Sequence, residues 1–142
     1  MKKKINLRLM SIAALAIITT LILVSAVFYD LFQKQIFADL KAYCRIIVSG
    51  EQMYEERNLH LSVSEQIEQL EAYDSAVANL RITLVDADGS VQYDTVADVK
   101  HMDNHMNRPE IQAAFENGDG SIVRRSDTLD MNTFYYACCM SD

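Results

Sequence analysis

His101 and His105 stand four residues apart, with Asp98 and Asp103 close by in the chain. On a helix that spacing would put two imidazoles on one face, where a zinc-like ion finds nitrogen and carboxylate donors. Surface or hydrogen-bonding histidines are the plainer reading, so no metal is assigned and His101 and His105 stay candidate ligands only if a helix runs through both. Arg108 offers five N–H donors. It is read as pinning its loop to Asp94 or to a strand carbonyl, with small-anion binding and simple exposure as the alternatives. Asp94 closes a strand-like run, and Glu110 falls where a helix should begin. Asp94, His105, Arg108 and Glu110 are therefore the candidate ligand or loop-ordering residues. Cys138 and Cys139 are adjacent, so on an extended strand they point to opposite sides and are poor partners for each other. Cys44 makes the count odd, and no disulfide framework is expected. An exposed Cys138 or Cys139 would instead cross-link two chains. There is no Cys-His-Asp arrangement, no spacing that supports a glycosidase carboxylate pair and no Gly-rich phosphate loop. No catalytic residue and no cofactor is assigned.

The elements that must hold these groups form an α+β plan. Arg81-Ile82-Thr83-Leu84-Val85 and Val91-Gln92-Tyr93-Asp94-Thr95 have strand composition and flank Asp86-Ala87-Asp88-Gly89. Gly89 allows the positive φ of a tight turn, and the aspartates can bond nearby amides, so a β-hairpin is predicted. Ala97 to Asn107 is polar. Asn107-Arg108-Pro109-Glu110 then starts a helix, with Asn107 as the cap, Pro109 where an amide hydrogen would go unpaired and Glu110 favourable in the first turn. Ile111, Ala114 and Phe115 should be its buried side, and Asn117-Gly118-Asp119-Gly120 should stop it. Ser121–Ser126 and Met131–Cys139 read as strands joined through Asp127–Asp130. One antiparallel sheet with a face covered by helices is the expected core.

Upstream, Leu9 to Tyr29 is 21 residues without a charge. At ~1.5 Å per residue it reaches about 31 Å, enough for a hydrocarbon core of ~30 Å. Lys2, Lys3 and Lys4 keep the N-terminal flank cytoplasmic, which places the chain beyond Tyr29 outside. Val24-Ser25-Ala26 would also serve as the cleavage site of a signal peptide, but the apolar run exceeds the usual ~7–15 residues of one. The reading is a retained anchor. From Asp30 to Gly50 a helical stripe of Leu31, Phe32, Gln35, Ile36, Asp39, Leu40, Tyr43, Cys44 and Ile47 continues outward. Leu31, Ile36, Leu40 and Ile47 are the candidates for pairing two chains. Ser49-Gly50 should end or pause this helix, and Glu51–Leu61 should be a loop or frayed turn. Ser62-Val63-Ser64-Glu65 has the form of a capping box, followed by Ile67, Leu70, Tyr73, Val77 and Leu80 on one helical face. The predicted divisions are 1–29 for the cytoplasmic tip and transmembrane helix, 30–61 for the membrane-proximal helix and loop, and 62–142 for the sensor-like domain. From Asp30 onward there are nine basic and twenty acidic residues, which argues against nucleic acid as a partner.

The order of these residues resembles a known family. Arg81-Ile82-Thr83-Leu84-Val85-Asp86 with Asp88-Gly89 is similar to the start of the extracytoplasmic PAS-like sensor domain of phosphate-type membrane histidine kinases, mostly Gram-positive. Asp94-Thr95, Met102-Asp103-Asn104-His105, Arg108-Pro109-Glu110-Ile111 with Ala114, Arg125-Ser126 with Thr128-Leu129, and Tyr135-Tyr136-Ala137 come in step with it. The resemblance covers about Leu80 to Ala137. It implies a PAS-like sheet with covering helices, a homodimer through the membrane-proximal helix, and a signal passed across the membrane to a kinase core and then a response regulator. It also implies that the last strand or strands, a second transmembrane helix and the kinase core lie beyond Cys138-Cys139-Met140-Ser141-Asp142, making this a truncated N-terminal fragment. His60, His101 and His105 lack the context of a phosphoacceptor. The alternatives are a stand-alone anchored binding or adhesion module and, more remotely, a small secreted hydrolase.

Overall fold

The computed structural model describes residues 2–56, 62–73, 80–126 and 131–140. The chain divides into two compact units, Met1–Ile36 and Phe37–Asp142. Helix α1 spans Lys2–Glu56. In the first unit it is long and apolar enough to cross a membrane, a description that a signal sequence near the N-terminus also meets. Its large apolar side chains are exposed, Leu15 at 66 % and Phe28 at 71 %. Thr19 and Thr20 donate their hydroxyls to the carbonyls of Leu15 and Ala16 at 2.8 Å each. Both threonine hydroxyls of the apolar run are thereby satisfied within the helix, as a lipid environment would require of them.

The second unit is α+β. It contains the rest of α1, then α2 (Val63–Tyr73), β1 (Thr83–Val85), β2 (Val91–Asp94), a 3₁₀ turn (Val99–His101), α3 (Pro109–Asn117), β3 (Asp119–Ser126) and β4 (Met131–Cys138). The helix does not end at Ser49-Gly50 as expected but continues to Glu56. A glycine inside a helix costs about 1 kcal/mol. A Cβ at Gly50 would stand 3.4 Å from the side-chain oxygen of Gln66, itself 5 % exposed, an ordinary contact, so α2 passes close by without requiring the glycine. The capping box of α2 forms as predicted. Glu65 accepts from the Ser62 amide at 2.8 Å, and the Glu65 amide makes a longer 3.4 Å bond to the Ser62 hydroxyl. Ile67 is fully buried, and Leu70 is half-buried on the same face. The expected continuation of this helix through Val77 lies outside the described residues.

The strands depart from the single expected sheet. Among the described residues they form two separate antiparallel pairs, β1 with β2 and β3 with β4. β1 and β2 make the predicted hairpin, with Leu84 opposite Tyr93 and an irregularity before Val85. Gly89 has φ 83°, and a Cβ there would run into Asn104 and Met106, so both conformation and space require glycine. β3 and β4 pair over eight residues, from Asp119 opposite Cys138 to Ser126 opposite Met131. Helix α3 lies on this second pair. It buries Ala114 and Glu110, whereas Phe115, expected inside, is 48 % exposed. The residue at its N-cap is Arg108, with no side-chain capping bond, in place of the expected Asn107. Gly118 closes it in the left-handed conformation, its amide bonded to the Ala114 carbonyl. The predicted connection 127–130 lies outside the described residues.

A seam joins α1 to β3 and β4. Phe37, Lys41 and Cys44 recur at i, i+4 and i+7, one face of a helix. Phe134, Tyr136 and Cys138 recur at every second position, one face of a strand. The two rows meet in order. The Phe37 and Phe134 rings are edge-on at 5.5 Å. Lys41 donates to the carboxylate of Asp119, which also accepts from the Tyr136 hydroxyl at 2.6 Å. Cys44 and Cys138 form a disulfide across 94 residues of sequence. This overturns the expectation that no disulfide forms. The odd count of three leaves Cys139 free and exposed, its thiol directed at the Ala114 carbonyl.

Leu40, Tyr43 and Ile47, from the stripe expected to pair two chains, are half-buried, whereas Leu31 is 58 % exposed. At 100° per residue they point about a quarter turn away from Phe37, Lys41 and Cys44. The face that docks on β4 thus shares Cys44 with the stripe that periodicity selected and adds Phe37 and Lys41, which that stripe left out.

Candidate functional site

The chemistry-bearing residues collect where the hairpin turn, the loop after it, the start of α3 and the middle of β3 and β4 come together. The turn is built first. Gly89 donates its amide to the Asp86 carbonyl at 2.8 Å, and Asp88 accepts from the amide and hydroxyl of Ser90. Those two bonds from Ser90, the hydroxyl's foremost, hold the Asp88 carboxyl below the usual range. The loop then folds back over the turn. Asn104 donates to the Asp88 carbonyl and accepts from the Met106 amide, while the His105 amide reaches the Gly89 carbonyl at 2.7 Å. Met102-Asp103-Asn104-His105 is therefore a clamp on the hairpin.

His101 and His105 do not share a helical face, because the 3₁₀ turn ends at His101. The His101 side chain is 82 % exposed and lies 3.4 Å from Asp98. His105 is 2 % exposed. Among the described residues, no three His, Cys, Asp or Glu side chains are grouped as a metal site.

Asp94 is a hub within its own loop. Its side chain is fully buried and accepts from Arg81 at 3.0 Å, the Thr83 hydroxyl at 2.8 Å, and the amides of Val96 and Ala97 at 2.9 and 2.8 Å. Burial pushes its carboxyl up, but the donated bonds from Ala97, Val96, Thr83 and Arg81 together outweigh it and hold the group below the ordinary range. Its partner is Arg81, where Arg108 was expected.

Glu110, 4 % exposed, is bound by Arg124 of β3 at 2.8 Å. The Arg124 guanidinium also stacks over the Tyr135 ring of β4, 3.8 Å from its centre. One arginine thus links helix, strand and neighbouring strand. Fixed charge and ring face both favour a planar guanidinium over an ammonium there.

That leaves Arg108 and the ring of His105. Arg108 is half-buried, and burial followed by the nearby Arg124 charge lowers its pKa. Among the described residues no side chain or carbonyl accepts a hydrogen bond from its guanidinium. The His105 ring places Nδ1 2.7 Å from the Asp103 carbonyl. A carbonyl only accepts, so Nδ1 carries the proton. Nε2 is buried and has no partner. Burial first, then the Arg108 charge, lowers the His105 pKa and favours the neutral ring. Both residues are among the candidates read from the sequence, but what sets them apart from Asp94 and Glu110 is a missing partner, which residue types cannot display.

Comparison with protein-family models, curated proteins and solved structures gives no match for this chain.

Proposed function

We propose that this chain is the membrane-anchored, extracytoplasmic sensing portion of a two-component sensor histidine kinase, with residues 62–142 as a PAS-like sensor domain. The kinase core is not among these 142 residues. The reading rests on the ordered motifs between Leu80 and Ala137, and one observation carries it. Helix α1 contains both the uncharged run Leu9–Tyr29 and the row Phe37, Lys41 and Cys44 that is bonded to β3 and β4. A change in the sheet then has a covalent route into the helix that enters the membrane. The disulfide favours an oxidising compartment for the second unit, in keeping with the lysines that hold the N-terminus inside. In this reading α1 pairs with its mate in a homodimer, and a response regulator is reached only through the kinase core.

Cys139 supplies the test, being the free and exposed cysteine of the chain. In intact cells expressing the full chain, a membrane-impermeant maleimide should label Cys139 without lysis, and the product should sediment with membranes. Labelling that appears only after lysis would refute an extracytoplasmic sensor. Release of the labelled chain into the medium would refute the anchor.

A further inference from the structure

We propose that Arg108 and His105 form a binding site for a small oxyanion that also carries a hydroxyl group, such as a hydrogen phosphate or a 2-hydroxycarboxylate. This names a ligand class for the sensor proposed above and draws its biological meaning from that reading. Binding itself needs no kinase and no membrane topology.

The first support is the distribution of charge. Two carboxylates in this region already have cations, Asp94 with Arg81 and Glu110 with Arg124. Arg108 makes no side-chain hydrogen bond among the described residues, although it is half-buried and feels the charges of both Arg124 and Glu110. A half-buried guanidinium that makes no hydrogen bond lacks what an anion's paired oxygens would provide.

The second support is independent of charge. His105 is 2 % exposed and its Nε2 has no partner. With the proton on Nδ1, Nε2 is a bare lone pair. It calls for a donor, and an oxyanion without a proton cannot supply one. The backbone brings the two groups within one turn, since the Arg108 amide donates to the His105 carbonyl at 3.0 Å. Arg108, Glu110 and Arg124 all act on the His105 ring, so these groups share one neighbourhood. The combination selects a ligand with acceptor oxygens on one side for Arg108 and an O–H on the other for His105. A metal ion would also accept the Nε2 lone pair, but Arg108 and Arg124 make the surroundings unfavourable for a cation.

The test uses the full chain in detergent with ¹⁵N-labelled histidine. Inorganic phosphate, lactate, acetate and zinc chloride are titrated separately while the His105 imidazole nitrogens are followed. Phosphate or lactate should shift the Nε2 resonance saturably, and whichever saturates lower identifies the oxyanion. Acetate, which offers oxygens but no hydroxyl, should bind about tenfold more weakly because Nε2 stays unpaired. Arg108→Gln should abolish the lactate or phosphate response with the thermal midpoint kept. If that variant does not fold, the lactate-to-acetate ratio in the wild type decides. No saturable response to either hydroxyl-bearing anion overturns the proposal. So do equal responses to lactate and acetate, a response retained in folded Arg108→Gln, or a response to zinc alone. Each of these leaves the labelling of Cys139 in cells untouched, so the sensor reading and the ligand class fail separately.

Discussion

Arg81 holds Asp94 from across the hairpin, its Nε 3.1 Å from Oδ1 and 3.0 Å from Oδ2 of the same carboxylate. The Arg81 side chain is 29 % exposed and that of Asp94 is fully buried. The acid is therefore committed on every side, to one cation, one hydroxyl and two amides, while the arginine keeps contact with water.

That asymmetry predicts unequal costs. Asp94→Ala strands the Thr83 hydroxyl, two amides and a partly buried cation, and should cost about 3 kcal/mol of unfolding free energy. Arg81→Ala should cost roughly 1 kcal/mol, because the remaining donors still satisfy the carboxylate. Chemical denaturation of the full chain in detergent compares the two, and equal losses would contradict this account.

The same group sets an acid dependence. The folded Asp94 carboxyl lies below its ordinary value, and the unfolded one sits near about 3.9. Its contribution is therefore complete above the unfolded value and disappears as pH falls through the lower folded value. Stability against denaturant should drop on acidification below about pH 4, and the drop should be shallower in Asp94→Ala. Parallel acid profiles for the two proteins would exclude Asp94 as a contributor.

Glu110 and Arg124 form a pair with side-chain exposures of 5 % and 23 %. Removing the acid alone leaves Arg124 without its counter-ion, so Glu110→Ala should cost about 3–5 kcal/mol. The double variant Glu110→Ala with Arg124→Ala should lose clearly less than the sum of the singles. A double-mutant cycle with no coupling would show that the pair contributes only through packing.

Gly120 of β3 faces α3 so closely that a Cβ there would meet the Glu110 carbonyl and stand 2.7 Å from Ala113 Cβ. Both obstacles belong to the helix itself and cannot swing aside like a flexible side chain. Gly120→Ala should therefore cost about 2–3 kcal/mol, measured as a lower thermal midpoint. An unchanged midpoint would mean that α3 can lift off its strands freely.

The Cys44–Cys138 bond closes a loop with a sequence separation of 94 residues. Loop entropy alone gives about 4–5 kcal/mol, and native disulfides commonly contribute about 2–5 kcal/mol. Cys44→Ser, or reductant, should lower the thermal midpoint accordingly, and the unfolded, unreduced chain should titrate a single thiol. Three titratable thiols in that state would disprove the bond.

Elements that local chemistry decides were legible in the sequence. The glycine turn between β1 and β2, the Ser62–Glu65 cap of α2, and the Pro109 start and Gly118 stop of α3 each depend on residues within a few positions of one another. What depended on distant partners was not. Three cysteines gave the right parity for one bond and one free thiol, yet nothing local distinguishes Cys44 with Cys138 from no bond at all. The cation for Asp94 came from Arg81, thirteen residues earlier, and not from Arg108, because the hairpin register brings Arg81 alongside. Periodicity selected a stripe of α1 that holds Cys44 beside Leu40, Tyr43 and Ile47, but it left out Phe37 and Lys41, which complete the face that docks. Apolar spacing cannot anticipate a seam made of an ion pair and a disulfide.

The row Phe37, Lys41 and Cys44 has a mechanical consequence. A rod fastened at one point can swivel about it, but one fastened at three points along the same side cannot roll. Within the second unit, a twist of the β3–β4 ladder must therefore reach the helix as torque. The inputs to which such an arrangement answers are those that wind or unwind two strands.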